Sequence, residues 1–101
     1  MHSVWIADDD QAIRLVLEES LSSSGFQTES FSNGEDLIKK LQTNQPDLII
    51  TDVQMPGMLG FDLMKHINNN FENIPVIIMT AFADMQTAVE SFGGGAFEYL
   101  P

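Results

Sequence analysis

Leu48-Ile49-Ile50-Thr51-Asp52-Val53-Gln54-Met55-Pro56-Gly57-Met58-Leu59-Gly60 is the stretch on which the fold turns. It opens as a short apolar run with β-branched residues, the pattern of a strand covered on both faces. A single carboxylate, Asp52, closes the run, and Pro56-Gly57 then breaks the chain into a turn. A charge at the end of a buried strand is costly unless a ligand, a metal or a reaction uses it. The alternative is that Asp52 only caps the turn by accepting backbone N–H groups. The stretch by itself leaves both open.

Toward the N-terminus the same pattern recurs. Val4-Trp5-Ile6-Ala7 reads as a buried strand that runs into Asp8-Asp9-Asp10. A helical pattern follows, with Ile13, Val16, Leu17 and Leu21 on one face and Gly25 closing it, so these four are expected to be buried. Phe26 to Phe31 carries Gln27, Glu29 and Ser30 and reads as an edge strand. Ser32-Asn33-Gly34-Glu35 has the spacing of a capping box, opening a helix that buries Leu37, Ile38 and Leu41 and ends before Asn44 and Pro46.

Toward the C-terminus, a helix after Gly60 buries Phe61, Leu63, Met64 and Ile67 and is expected to fray in Asn68-Asn69-Asn70. Pro75 introduces a strand, Val76 to Met79, that ends in Thr80. A further helix from near Asp84 presents Met85, Ala88, Val89 and Phe92 and stops at Gly93-Gly94-Gly95. Phe97 to Leu100 begins a last strand. Trp5, Phe26, Phe31 and Phe97 are expected in the core, and His66 at or near the surface.

Alternating strands and helices predict an α/β fold, a doubly wound parallel sheet covered on both faces. Such sheets bind ligands at the carboxyl ends of their strands, where the strand order reverses. Asp8, Asp9, Asp52 and Thr80 all fall at strand ends, and if the first and third strands flank that point, Asp8, Asp9 and Asp52 converge in one crevice.

Composition bounds what that crevice does. The chain has 101 residues, 44% hydrophobic and 19% charged, enough for one globular domain. Fifteen acids against four bases give a net charge of −11, which excludes nucleic-acid binding by this segment, since that draws on Lys and Arg. No apolar run is long enough to span a bilayer. No signal peptide is visible, and the absence of cysteine fits an intracellular, cytoplasmic protein.

Carboxylates within about 4–6 Å of one another repel by several kcal/mol per pair at an effective dielectric of about 20, so they take up a cation or a proton. An all-oxygen ligand set with open positions suits Mg²⁺. A metal beside one carboxylate and one hydroxyl is the equipment of phosphoryl transfer, with the carboxylate as nucleophile.

Ile6-Ala7-Asp8-Asp9-Asp10, Asp52 with Met55-Pro56-Gly57, and Val76-Ile77-Ile78-Met79-Thr80-Ala81 together resemble the receiver domain of two-component response regulators. The resemblance covers residues 1–101, and Asp10 to Glu18 and Gly95 to Pro101 look most like the nitrogen-regulatory NtrC type. It implies a three-layer, flavodoxin-like sheet with strand order 2-1-3-4-5. It implies that Asp52 accepts a phosphoryl group from a sensor histidine kinase, and that output lies in domains outside this chain. By the same resemblance Asp9 and Asp52 would ligate Mg²⁺ with their carboxylates, Gln54 with its backbone carbonyl, and Asp8 through a water. Thr80 would hydrogen-bond the phosphoryl group and Tyr99 would turn inward as the switch aromatic.

Two departures stand out. Leu59 occupies a position where the family usually has an acid. The chain stops one residue short of the family's phosphate-binding lysine and lacks its fifth helix, so a truncated receiver is expected, with a second copy covering the open face as a homo-oligomer. Arg14 is expected to pair with an acid on its own helix. Two other functions compete. A hydrolase with an aspartyl-phosphate intermediate wants an acid two residues after the nucleophile, where Gln54 stands. A pseudo-receiver that dimerises without phosphate needs none of the site residues.

Overall fold

The computed structural model describes residues 2–79 and the backbone of residues 98–100. The strands are β1 (Ser3–Ala7), β2 (Gln27–Phe31), β3 (Leu48–Asp52), β4 (Val76–Met79) and β5 (Glu98–Leu100). They form one parallel sheet, as the alternation of elements predicts, in the order β2-β1-β3-β4-β5 that the family resemblance implies. Three helices are found among the described residues: α1 (Gln11–Ser23), α2 (Gly34–Leu41) and α3 (Gly60–Asn70). The expected helix near Asp84, Phe97 and Thr80 lie outside the described residues.

Side chains alternate across the strands, which sorts the apolar residues between two faces. Trp5, Ala7, Ile49, Val76 and Ile78 join Leu37 and Leu41 of α2 and Leu63, Met64 and Ile67 of α3 in one buried cluster. Phe31 packs at its edge, its ring centroid 5.5 Å from that of Trp5. Val4 and Ile6 are buried on the other face of β1, and α1 adjoins β1 and β2.

Helix α1 departs from expectation. Ile13 is 42% and Val16 66% exposed, and no residue of α1 is buried. Leu17 and Leu21 are half-buried, and the helix end is tied to the sheet side by the Phe26 N–H, which donates to Leu21 O at 3.1 Å. The sheet covers only the Leu17–Leu21 edge of the apolar stripe, and no described element covers the Ile13–Val16 edge.

Two helix ends are also corrected. The N-cap of α2 is Asn33, whose side chain accepts the Asp36 N–H at 2.8 Å, while the Asn33 amide donates to the Asp36 carboxylate at 3.2 Å. The reciprocal cap therefore sits one residue beyond Ser32–Glu35. Helix α3 does not fray at the asparagine run but continues through Asn70, whose side-chain amide donates to the His66 carbonyl at 2.8 Å. That bond adds a side-chain donor to the last full turn of the helix. Ile38 and Phe61 are half-buried rather than buried, Phe26 is half-buried, and His66 is half-buried beside Phe71.

Candidate functional site

Strand register builds the site. Ala7 of β1 stands opposite Thr51 of β3, so the next residues, Asp8 and Asp52, leave the sheet side by side. One carboxylate oxygen each from Asp8, Asp9 and Asp52 lies within 4.8 Å of the others. The convergence predicted for these three acids is present. Asp8 is buried (2% exposed), Asp52 is half-buried and Asp9 is exposed, so the cluster opens to solvent on one side.

Each acid is positioned by its own backbone contacts. The Asp8 N–H extends the ladder to Phe31 O at 3.0 Å, and its carboxylate accepts the Asp10 N–H at 2.9 Å. Asp52 accepts the Val53 N–H at 2.8 Å and a further backbone N–H from Gln54. Asp52 therefore does cap its turn, and it also faces two other acids, which a cap does not need. Asp10 is the N-cap of α1, its carboxylate accepting the Ala12 N–H at 2.9 Å. Of three consecutive aspartates, two enter the cluster and one starts the helix. Capping propensity at the residue before Gln11 was the signal that separates them.

Sequence reasoning misplaced Arg14. Its guanidinium Nη1 donates to the backbone carbonyl of Asp8 at 2.6 Å, rather than pairing with an acid on α1. Gln54 is exposed at the mouth of the cluster, beside Met55, Pro56 and Leu59. Leu59 is 48% exposed and caps α3 without a side-chain hydrogen bond. Thr80 and the side chain of Tyr99 lie outside the described residues.

Burial pushes the Asp8 carboxyl above its ordinary value of 3.8, against the Asp10 N–H that favours its charge, with the charges of Asp9 and Asp10 adding to the rise. Burial also raises Asp52, and the neighbouring Asp8 charge adds to it. The stability consequence follows by counting protons. Between 3.8 and the raised values the folded chain holds more protons than the unfolded chain, so stability falls as pH rises through that window. In the presence of a chelator the chain is thus expected to resist urea better at about pH 4, the acid end of that window, than at neutral pH. Asp52→Asn should raise the midpoint at the higher pH and flatten the difference. A midpoint that climbs with pH would contradict this electrostatic account.

The donor set suits a hard divalent ion: three carboxylates, no His or Cys, and an open side. The neighbouring charge that adds to the rise of Asp8 and Asp52 is what a cation there would offset.

The sequence matches the response regulator receiver domain over residues 4–101. It is 44% identical over 98 residues to the DNA-binding transcriptional regulator NtrC of Escherichia coli K12, covering 97% of this chain and 21% of that protein. The NtrC of Bradyrhizobium sp. (strain RP501 Parasponia) is 41% identical over 99 residues, or 98% of this chain. The chain therefore spans about a fifth of the length of the curated relatives it matches. Among solved structures, the response regulator TrrA of Thermotoga maritima in complex with Mg²⁺-BeF superposes with a TM-score of 0.88 at 30% identity, covering 99% of this chain and 85% of that one. TrrA in complex with the histidine kinase ThkA gives a TM-score of 0.85 at 30% identity, covering 99% of this chain and 84% of that one.

Proposed function

The chain belongs to the response regulator receiver domain family, NtrC-like, and from that premise we propose that residues 1–101 form one phospho-accepting module. Asp52 receives a phosphoryl group from a sensor histidine kinase in the cytoplasm and passes the signal to a transcription-activating output beyond this segment. The observation that carries the reading is the meeting of Asp8, Asp9 and Asp52 within 4.8 Å at the carboxyl ends of β1 and β3. The module is not a turnover enzyme in this reading, since Gln54 offers no second acid beside the nucleophile.

The roles follow from position. Asp52 is half-exposed and held by the Val53 N–H, so its carboxylate is fixed yet reachable by an incoming phosphodonor. Asp9 and Asp52 are the proposed carboxylate ligands of Mg²⁺, with the Gln54 carbonyl. Asp8, nearly fully buried, is the acid that reaches the ion through a water. Mg²⁺ there would neutralise the carboxylates and offset charge on the transferring phosphoryl oxygens. Thr80 is proposed to bind the phosphoryl group, and Tyr99 to respond to it.

The metal is tested without any phosphate. An ion that binds only the folded chain stabilises it by about 2.7 kcal/mol at a hundredfold excess over Kd. Melting should rise with added Mg²⁺, and Asp9→Asn should blunt the rise. A melting curve unmoved by tens of millimolar Mg²⁺ would remove the metal from the proposal.

A second reading, a homo-oligomeric interaction module working without phosphate, draws on the exposed Ile13 and Val16 of α1. Labelling of Asp52 separates the two. Among the described residues no helix is long and apolar enough to cross a membrane.

A further inference from the structure

The turn that carries Asp8 and Asp9 lies beyond the last rung of the sheet. The β1 ladder ends with Ala7, paired to Phe31 on one side and Thr51 on the other. The carbonyl of Asp8 therefore emerges where no strand residue remains to bond it. Arg14, in the first turn of α1, reaches back and donates to that carbonyl from Nη1 at 2.6 Å. Its own backbone N–H donates to Asp10 O at 3.1 Å, so one residue closes both ends of the Asp8–Asp10 segment. The Asp8 carboxylate ties Asp10 from within the segment, and the Asp10 carboxylate ties it on to Ala12 of α1.

We propose that Arg14 is a positioning residue for the cation site, holding the Asp8–Asp9 limb of the carboxylate cluster in register with Asp52. The inference rests on the Mg²⁺ site proposed above and adds to it a residue that touches neither the ion nor the phosphoryl group. A charge-assisted bond of this length is among the stronger hydrogen bonds available to a carbonyl. Asp9 is exposed and, among the described residues, accepts no hydrogen bond that would fix it, so the path of its backbone governs where its carboxylate points. The guanidinium also brings a positive charge to the turn.

These two contributions predict opposite outcomes. Partners that orient metal ligands from outside typically contribute 10- to 100-fold in affinity. If Arg14 positions the turn, Arg14→Gln and Arg14→Lys should each weaken Mg²⁺ binding by about 10-fold, because a lysine amine lacks the planar reach of the guanidinium. If Arg14 acted only as a charge, Arg14→Gln would tighten Mg²⁺ binding and Arg14→Lys would leave it unchanged. Calorimetric titration with MgCl₂, well below each variant's melting temperature, reads the difference. Leu17→Ala, which loosens α1 without touching the turn, is the comparison and should keep the wild-type Kd.

Weakening in both Arg14 variants with Leu17→Ala unaffected supports the proposal. Unchanged or tighter binding in either Arg14 variant overturns it, as does equal weakening in Leu17→Ala. A variant that stays unfolded at saturating Mg²⁺ also counts against it, since a positioning role predicts that the ion restores the turn. Wild-type protein that binds no Mg²⁺ would instead remove the site itself.

Discussion

Given Mg²⁺ and a small acyl phosphate, the chain is expected to gain one phosphoryl group, and Asp52→Asn is expected to gain none. The loss should be complete rather than graded, because the acceptor atom itself is replaced. In the transfer, a carboxylate oxygen of Asp52 forms a bond to phosphorus while the donor's own P–O bond breaks. The donor's carboxylate leaves with the electron pair, and no proton or electron is left unaccounted for. Asp52 is favoured over its neighbours on geometry. Asp8 is buried where Asp52 is reachable, and Asp10 is engaged at the start of α1 as its N-cap. Asp9 is exposed but emerges from a turn rather than from the end of a strand. Intact-protein mass spectrometry counts the label and fragmentation places it. Equal labelling of the variant would put the acceptor elsewhere. An unlabelled wild type in saturating Mg²⁺ would favour the phosphate-independent reading.

Much of this geometry is legible in the sequence because burial leaves a periodic trace. Val4-Trp5-Ile6-Ala7 and Leu48-Ile49-Ile50 read as strands covered on both faces, and both prove to be central. Once two such strands end in acids and lie side by side, the meeting of Asp8 with Asp52 follows from parallel register alone. What stays hidden is of a different kind. Ser32 with Glu35 and Asn33 with Asp36 both fit a helix start. In the fold Asn33 takes the cap, its side chain accepting the Asp36 N–H. Periodicity shows that Ile13 and Val16 share a face with Leu17 and Leu21, but not whether a neighbour covers all of it. A guanidinium reaching back over six residues to a carbonyl leaves no pattern, because any long base near the start of α1 has the same spacing.

The second large effect is expected at Gly60, where the helix behind the site meets the strand that carries Asp52. Gly60 opens α3, and its N–H donates to Val53 O at 2.7 Å. Leu59 supplies no side-chain cap, so this backbone bond anchors the helix start. A Cβ at Gly60 would sit 2.0 Å from the Asp52 carbonyl oxygen, 2.9 Å from its carbon and 3.1 Å from Val53 Cα. All three are backbone atoms, and none can rotate away as a side chain would. Gly60→Ala must therefore push α3 off β3 or twist the Asp52 peptide. The first strips contacts from Leu63, Met64 and Ile67, all fully buried. The second moves the acceptor carboxylate. Forcing atoms into packed space costs about 1–3 kcal/mol, and more where nothing can give, so a loss of at least about 3 kcal/mol is expected. For a domain of this size that lowers the melting temperature by about 12–24 °C, at roughly 4–8 °C per kcal/mol. Gly25→Ala provides the scale. Gly25 also needs its glycine, at φ +93°, but a Cβ there meets nothing within 4 Å, so only the left-handed backbone is penalised, by about 1–2 kcal/mol. Thermal melts of the two variants decide the matter. If Gly60→Ala melts no lower than Gly25→Ala, the contact between α3 and the Asp52 carbonyl is looser than the geometry states. If it melts far lower and also loses its response to Mg²⁺, the start of α3 holds both the core and the acceptor in place.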